Sequence, residues 1–253
     1  MKLTNFHTHT NFSDGENTAE EMVQEAIRLG FTDYGITDHS FASCDLECGM
    51  LYTAYDSYKK EVRRLKEAYK DKIRIYCGIE QDYYSDHPAE GFDYIIGSVH
   101  YIRIKDEFVT VDFGGEKGFM VLKDAAGRYF NGDIYSLLEL YFETVSHVVQ
   151  KTGADIIGHF DVISKANESF PFFDPSHPRY IASWQKAVDS LIPEGKIFEI
   201  NVSQVLRGTK TEPYPSNDIQ NYIRSKGGRL YYTGDTHSII RLQEFAEFLR
   251  KRC

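Results

Sequence analysis

The chain has 253 residues but few cysteines and no long apolar segment. A membrane span needs a run of about eighteen apolar residues, and none occurs, so the sequence predicts no span. No apolar stretch of the kind that a cleavable signal requires lies near the amino terminus, and we therefore expect a cytoplasmic protein. The cysteines form no Cys-x-x-Cys pair, and we interpret all four as reduced thiols: Cys44, Cys48, Cys77 and Cys253.

A basic segment is also absent. The chain carries 29 Lys and Arg against 38 Asp and Glu, for a formal net charge of -9. Proteins that bind nucleic acid need a basic surface because phosphate contacts dominate that affinity, so we expect no nucleic-acid partner. The glycine fingerprint of flavin and nicotinamide enzymes is missing as well, which argues against redox chemistry.

Short apolar runs alternate with amphipathic helical patterns along the chain. The runs are rich in β-branched and aromatic residues and predict strands at 3–6, 33–36, 73–79, 92–96, 154–157, 196–202 and 229–233. The helical patterns cover 18–29, 52–69, 134–151, 177–191, 215–226 and 239–252. Such alternation implies parallel strands joined by crossovers, and the lack of a linker predicts one domain over 1–253, built as a closed or nearly closed barrel.

The segment 103–132 interrupts this alternation. It has no long helical period, contains several glycines and aromatic residues, and follows the run that ends at His100. A connection of this length usually forms a functional loop or small structure of its own. We predict a small hairpin or lid near the substrate; the alternative is a packing insertion that only covers the barrel edge.

Histidines and acidic residues lie where the apolar runs end. In the patterns His7-Thr-His9 and Asp235-Thr-His237, both outer side chains point to the same side of an extended strand. The carboxyl ends of the strands of a β/α barrel converge on one face, where active sites are built. Imidazole and carboxylate are ligands of Zn, Mn and Fe. The sequence therefore predicts a metal site formed by residues that are distant along the chain.

The number of candidate ligands predicts more than one metal ion. A carboxylate bridges two cations, whereas a neutral imidazole nitrogen binds one, and the candidates exceed the ligands of one tetrahedral site. We expect about two to three divalent ions, with Zn, Mn and Fe all compatible with these ligand types. Metals about 3.5–4 Å apart bind a phosphoryl group and lower the pKa of a bound water, so hydrolysis of a phosphate ester fits this composition.

A set of motifs runs through the chain in a fixed order: His7-Thr-His9 leading to Asp14-Gly15, Gly35-Ile-Thr-Asp-His39, Gly78-Ile-Glu80, Ser98-Val-His100, Gly158-His159 and Gly234-Asp235-Thr-His237. In this order they resemble the polymerase-and-histidinol-phosphatase (PHP) superfamily, and among its members the PHP-type histidinol-phosphate phosphatases. The resemblance implies an α/β fold, a distorted seven-stranded (β/α)7 TIM-like barrel, and a trinuclear metal centre.

The resemblance also implies how the ligands divide among the metals. The candidates would fall into three sets, with one glutamate shared by two of them: His7, His9, Glu80 and Asp235; Glu80, His100 and His159; Asp14, His39 and His237. For the aspartate of the third set, a turn residue before a glycine is the alternative interpretation.

The activity that the resemblance implies is that of a phosphomonoesterase, which hydrolyses L-histidinol phosphate to L-histidinol and phosphate in histidine biosynthesis. Its partner would be a small phosphorylated metabolite, attacked by a metal-activated water. Two alternatives stay open: a PHP phosphoesterase that acts on another small phosphate ester or a nucleotide, and a metal-binding module without catalysis. The sequence predicts no oligomeric state.

Further residues are candidates for catalysis and substrate binding. Arg207 follows the sixth predicted strand, and its planar guanidinium suits phosphate; otherwise it is a surface arginine. Asp161, like Asp38, would accept the spare N–H of a ligand imidazole. Asp161 would otherwise protonate the leaving alkoxide or cap the following helix. Asn201 would orient substrate or support the metal face.

Overall fold

The computed structural model describes residues 2–252. Nine strands lie within them: β1 (Leu3–Asn5), β2 (Phe31–Ile36), β3 (Arg74–Asp82), β4 (Tyr94–Ser98), β5 (Tyr101–Ile104), β6 (Glu107–Thr110), β7 (Ile156–Ile157), β8 (Ile197–Asn201) and β9 (Arg229–Thr233). All except β5 and β6 form one parallel, 7-stranded sheet in the order β1-β2-β3-β4-β7-β8-β9. The apolar runs predicted as strands correspond to these seven.

The sheet closes into a barrel just beyond β1 and β9. A parallel bridge links Thr8 to Thr236. There the His9 amide donates to the Thr236 carbonyl at 2.9 Å, and the Thr236 amide donates to the His7 carbonyl at 3.2 Å. The predicted α/β fold, a seven-stranded and nearly closed TIM-like barrel, is therefore confirmed.

Helices connect the strands of the barrel. Within residues 2–252 they are α1 (Ala19–Leu29), α2 (Tyr55–Ala68), α3 (Gly115–Phe130), α4 (Ile134–Ser146), α5 (Val148–Thr152), α6 (Pro178–Leu191), α7 (Ser203–Leu206), α8 (Asn217–Ser225) and α9 (Ile239–Lys251). Local sequence sets the ends of α1, where Thr18 and Glu21 form a reciprocal capping box and Gly30, with a φ of 85°, ends the helix. The predicted helix over 134–151 is divided at His147 into α4 and α5.

The segment 103–132 contains the predicted hairpin and also a helix that the sequence did not predict. β5 and β6 pair antiparallel, and α3 follows them. The expectation of no long helix was wrong because several glycines weaken the helical pattern, each by about 1 kcal/mol relative to alanine. Packing compensates for this weakness, since Leu122, Ala125 and Ala126 of α3 are buried in the same hydrophobic cluster as residues of α4.

Cys44, Cys48 and Cys77 are free thiols, and Cys253 lies outside the described residues. In the described part of the chain, no helix combines the length and the apolar composition that crossing a membrane requires.

Aromatic side chains from four parts of the sheet pack against one another. The Phe6 ring lies edge-to-face against Tyr76 and Tyr94, with centroid separations of 5.3 Å and 5.6 Å, and Tyr231 lies 5.7 Å from it. Neither β3 nor β4 is a neighbour of β1 or β9 in the sheet, so rings from these strands can meet only in the barrel interior. The Tyr94 hydroxyl also donates to the Phe6 carbonyl at 2.7 Å, which links β4 to the end of β1.

Gly78 lies against this ring cluster, and we expect Gly78→Ala to destabilise the fold. A Cβ atom there would lie 2.6 Å from a methyl carbon of Thr37 and 2.6 Å from the Tyr94 ring. Overpacking of this kind costs about 1–3 kcal/mol in the free energy of unfolding, which urea denaturation measures. The control is Gly127→Ala in α3, where no atom lies within 4 Å of the added carbon. This control should gain about 0.5–1 kcal/mol, and equal effects of the two changes would contradict the packing argument.

Candidate metal centre

The carboxyl ends of the parallel strands bring all the candidate ligands into one cluster. Their positions follow the strand order: His7, His9 and Asp14 after β1, His39 after β2, Glu80 in β3, His100 after β4, His159 after β7, and Asp235 and His237 after β9. Most of them are buried, and Asp14 lies on the open side of the cluster. Residues from both ends of the chain therefore meet at one end of the barrel.

Four candidate ligand atoms of the first predicted set lie near one another. Glu80 Oε2 lies 3.2 Å from His7 Nε2 and 3.4 Å from His9 Nε2. Asp235 Oδ1 lies 3.7 Å and 3.2 Å from the same two nitrogens. Ligands about 2.0–2.1 Å from zinc in a tetrahedral site are about 3.3 Å apart, so these four separations are compatible with ligands of one ion, and His7, His9 and Asp235 form one group able to hold it. Both nitrogens are buried without a hydrogen-bond partner among the described residues, which is unusual unless they bind a cation.

The two carboxylate oxygens of Glu80 face different groups of ligands. Oε1 lies 2.8 Å from His159 Nε2 and 3.4 Å from His100 Nε2, and these two nitrogens are 3.1 Å apart. The Ser98 hydroxyl donates to Oε1 at 2.6 Å and holds the carboxylate in place. This is the arrangement that a carboxylate shared by two cations requires.

Asp14, His39 and His237 form a third group. Asp14 Oδ2 lies 3.3 Å from His237 Nε2, and Asp14 Oδ1 lies 3.7 Å from His39 Nε2. His9 Nδ1 is 3.6 Å from Asp14 Oδ1, and His39 Nδ1 is 2.9 Å from Glu80 Oε2. His9 and His39 therefore each border two groups, and the division of the ligands among three metals stays a prediction.

Two buried carboxylates orient ligand imidazoles. Glu199 Oε1 accepts a hydrogen bond from His7 Nδ1 at 2.5 Å, and its Oε2 accepts one from the His159 amide at 2.6 Å. Asp82 Oδ2 lies 3.1 Å from His100 Nδ1. Such partners select the tautomer of a ligand imidazole, hold its ring in one orientation and raise its basicity.

These two carboxylates were not among the residues predicted from the sequence, although a signal for each exists. Glu199 stands inside the apolar run of β8, and a charged residue is rarely buried in a strand unless it has a partner. Asp82 stands two residues after Glu80 in β3 and therefore faces the same side of the strand.

We expect Asp82→Asn to weaken zinc binding by about 10- to 100-fold, because the His100 imidazole loses its charged acceptor. Competition with a chromogenic chelator measures this affinity. Asp106→Asn is the matched control, since the Asp106 side chain is 100% exposed on the hairpin. An affinity equal to that of the control would show that Asp82 has no influence on the ligand.

Asp38 fixes the turn that carries Asp14. Its carboxylate accepts hydrogen bonds from the Thr10 amide and hydroxyl, both at 2.8 Å, and from the Ser13 hydroxyl at 2.7 Å. The prediction that Asp38 accepts an imidazole N–H was wrong, because among residues 2–252 its carboxylate accepts from these amide and hydroxyl groups and forms no hydrogen bond with an imidazole.

Charges inside the cluster shift the pKa values of its members. Burial lowers the pKa of His7, but the carboxylates of Glu199 and Glu80 outweigh it and raise this pKa well above its ordinary value. Burial raises the pKa of Glu80, but the imidazoles of His39 and His7 hold it well below its ordinary value. Burial and neighbouring imidazoles lower the pKa of His9 to about 3. The carboxylates are therefore ionised and attract cations, whose binding requires neutral imidazoles.

A cavity of about 200 Å³ opens onto the cluster of candidate metal ligands, and we call it the ligand cavity. Thr110, Asp112 and Phe113, at the end of the hairpin, line it, so the insertion reaches the site. Lys165 also lines it and forms an ion pair with Asp112 at 2.8 Å. Whether the hairpin moves as a lid stays a prediction.

Arg207 lies at the rim of this cavity. It follows α7, and its side chain is exposed. Across residues 2–252, its guanidinium has no hydrogen-bond or ion-pair partner. An arginine in this state is available to bind an anion that enters the cavity.

Both polar atoms of the Asn201 side-chain amide form hydrogen bonds beside the cluster of candidate metal ligands. Its Nδ2 donates to Asp235 Oδ2 at 3.0 Å, and its Oδ1 accepts from the Ser203 hydroxyl at 2.7 Å. With both ends of the amide engaged, the contacts favour support of a ligand over binding of substrate. Asp235 itself has a φ of 44°, a left-handed backbone conformation that is uncommon outside glycine.

Asp161 is not brought to the ligand cavity. Its Oδ2 accepts from the Ser216 amide at 3.1 Å, and its side chain lines a different cavity. His159 Nδ1 is buried without a partner among the described residues, so Asp161 does not accept its N–H. These contacts support neither an imidazole acceptor nor a proton donor at this position.

Known proteins share this arrangement of strands. The chain is 29% identical over 244 residues to a Schizosaccharomyces pombe protein named "Probable histidinol-phosphatase", covering 86% of this chain and 74% of that protein. Its fold is similar to that of a candidate histidinol phosphatase from Listeria monocytogenes, with a TM-score of 0.81 and 19% identity over 99% of this chain and 100% of that chain. It is also similar to the histidinol phosphate phosphatase of Lactococcus lactis solved with Zn, L-histidinol and phosphate, with a TM-score of 0.67 and 21% identity over 99% of this chain and 93% of that chain.

The match to a protein family covers most of the chain. Residues 5–203 match the PHP domain family. This span includes the ligand-bearing ends of β1, β2, β3, β4 and β7, and the closure of the barrel adds Asp235 and His237 from outside it. The chain belongs to the PHP domain family.

Proposed function

We propose that the protein is a metal-dependent phosphomonoesterase that hydrolyses L-histidinol phosphate to L-histidinol and phosphate. The observation that carries this proposal is the cluster of imidazoles and carboxylates at one end of the barrel, in which the fully buried Glu80 faces two groups of ligands. The choice of substrate rests on similarity to proteins named for this activity, one of them solved with L-histidinol and phosphate.

The donor set suits about two to three divalent ions of the Zn, Mn or Fe type, since it combines imidazole nitrogens with carboxylate oxygens. When bound, such ions would neutralise charge on the phosphoryl oxygens and lower the pKa of a coordinated water. Because ligands come from His7 at one end of the chain and His237 at the other, the proposal involves the whole chain as one domain.

Two cationic side chains at the cavity are suited to the phosphate group. The guanidinium of Arg207 has no partner among the described residues and offers paired N–H donors to an anion. Lys165 is held at the cavity wall by Asp112, at 2.8 Å. We propose that Arg207 binds the phosphate directly and that Lys165 adds positive charge beside it.

The cavity also has a carboxylate suited to the ammonium group of the substrate. Asp45 lines the cavity and forms no ion pair with Lys or Arg in residues 2–252. Its Oδ1 accepts from the Cys48 amide at 3.2 Å, which orients the side chain. We propose that Asp45 binds the substrate ammonium, whereas Asp112 is already paired with Lys165.

A kinetic comparison tests the proposed substrate. Protein supplied with Zn or with Mn is assayed for phosphate release from L-histidinol phosphate, phenyl phosphate and a mononucleotide. We expect kcat/KM for L-histidinol phosphate to exceed the value for phenyl phosphate by at least about 10²-fold, because the polar groups of the cavity are left unpaired by the smaller ester. Equal values would reject the substrate, and a preference for the mononucleotide would favour the alternative. Full metal content without turnover of any ester would favour a binding module.

A further inference from the structure

A second cavity lies beside the metal centre and is separate from it. Its volume is about 660 Å³. None of the described residues that line it also lines the ligand cavity. The short segment after His159 divides the two, because Val162 and Lys165 line the ligand cavity whereas Asp161 and Ser164 line the second one. The proposed phosphatase reaction does not use this space.

The second cavity is strongly acidic. One lysine, Lys210, lines it together with five carboxylates: Asp161, Glu168, Asp174, Glu212 and Asp218. Among the described residues, these five carboxylates form one ion pair with Lys or Arg, between Glu168 and Lys210 at 4.0 Å. The negative charge of the lining is therefore largely uncompensated, which favours a cationic ligand.

One of these carboxylates has a free acceptor atom in a buried position. Asp161 is 1% exposed, and its Oδ1 has no hydrogen-bond partner among residues 2–252. The nearby Lys210 ammonium donates instead to the Ser164 hydroxyl at 3.3 Å. A buried carboxylate oxygen without a donor is costly and rare, so this position calls for a donor that the described residues do not supply.

Aromatic side chains form the other part of the lining. Phe173, Tyr180 and Trp184 all line the cavity, with exposed fractions of 6%, 5% and 6%. Aromatic faces attract organic cations and cover their apolar parts. We propose that this cavity is a second ligand site, which binds an organic ammonium ion with its charged group at Asp161 and its apolar body among the aromatic side chains.

The proposal has a direct optical test because Trp184 is the single tryptophan of the chain. Its fluorescence is followed while the metal-loaded protein is titrated with cyclohexylmethylammonium chloride, and then with the neutral analogue cyclohexylmethanol. Inorganic phosphate is held at a constant saturating level so that the ligand cavity stays in one state. We expect a saturable change with the amine, and at least about tenfold weaker binding of the alcohol, which lacks the charge. No saturable change, or equal binding of the two compounds, would show that the cavity holds only solvent or apolar additives and would overturn the proposal.

Two variants with opposite expected effects separate binding from general damage. Asp161→Asn should weaken binding of the amine by at least about tenfold, because the buried negative charge is lost. Lys210→Met should tighten it by about threefold or more, because a cation that opposes the ligand is removed. Asp106→Asn, on the exposed hairpin, should leave the affinity unchanged.

A structural disturbance alone would not produce this pattern of signs. Unchanged affinity in Asp161→Asn, or weaker binding in Lys210→Met, would contradict the site. If Asp161→Asn does not fold, Glu212→Gln takes its place, with an expected loss of about threefold from the reduced charge of the lining. The affinity of the amine is measured without turnover of any phosphate ester, so failure of the proposed phosphatase activity leaves this test intact.

Discussion

Glu80→Gln is expected to lose nearly all hydrolysis of L-histidinol phosphate and to contain less metal. The Glu80 oxygens lie 2.8–3.4 Å from nitrogens of two ligand groups, and an amide replaces two charged oxygens with one neutral oxygen. Bound cations contribute several kcal/mol to stabilising the charge of a phosphoryl transition state. We therefore expect kcat/KM to fall by at least about 10³-fold, measured together with metal content by elemental analysis.

The matched control for this change is Glu67→Gln, whose side chain is 74% exposed on α2. Its rate and metal content should equal those of the unchanged protein. Full metal content in Glu80→Gln, together with a rate within about tenfold of normal, would show that the metals do not depend on a shared carboxylate at this position. The proposed function would then lose the observation that supports it.

The barrel was predictable from the sequence because each of its strands carries its own signal. Every predicted strand is a short apolar run, and most candidate ligands, Glu80 among them, stand within a few residues after the end of one. In a parallel barrel those ends share one face, so the meeting of His7 with Asp235 follows from topology alone. No knowledge of side-chain contacts was needed for this step.

Contacts that depend on side-chain direction were not predictable in the same way. Asp38 and Asp161 stand one and two residues from ligand histidines, yet their carboxylates face a turn and a separate cavity. Glu199, which is forty residues from His159 along the chain, holds its amide. Sequence proximity therefore identified the wrong partners, because the direction of a side chain depends on local backbone geometry. The helix α3 was missed for a related reason, since its stability comes from packing against α4 rather than from its own pattern.

Arg207→Ala is expected to lower kcat/KM for L-histidinol phosphate by about 10²-fold, as does loss of one donor to a developing oxyanion in other enzymes. Arg207 lies at the rim of the cavity without a partner among the described residues, so a phosphate in the cavity would be its first anionic contact. The change removes no metal ligand, and metal content should stay constant. Steady-state kinetics with separate kcat and KM then show whether the arginine acts in substrate binding, in the transition state or in both.

Arg207→Lys makes this test more specific, because lysine keeps the charge but loses the planar pair of donors. An intermediate rate would show that both charge and geometry contribute. Arg63→Ala, at an exposed position of α2, is the control and should leave the kinetics unchanged. A rate within about threefold of normal for Arg207→Ala would exclude this arginine from phosphate binding. Lys165, which Asp112 holds at the cavity wall, would then be the remaining cation suited to the phosphate among the described residues that line the cavity.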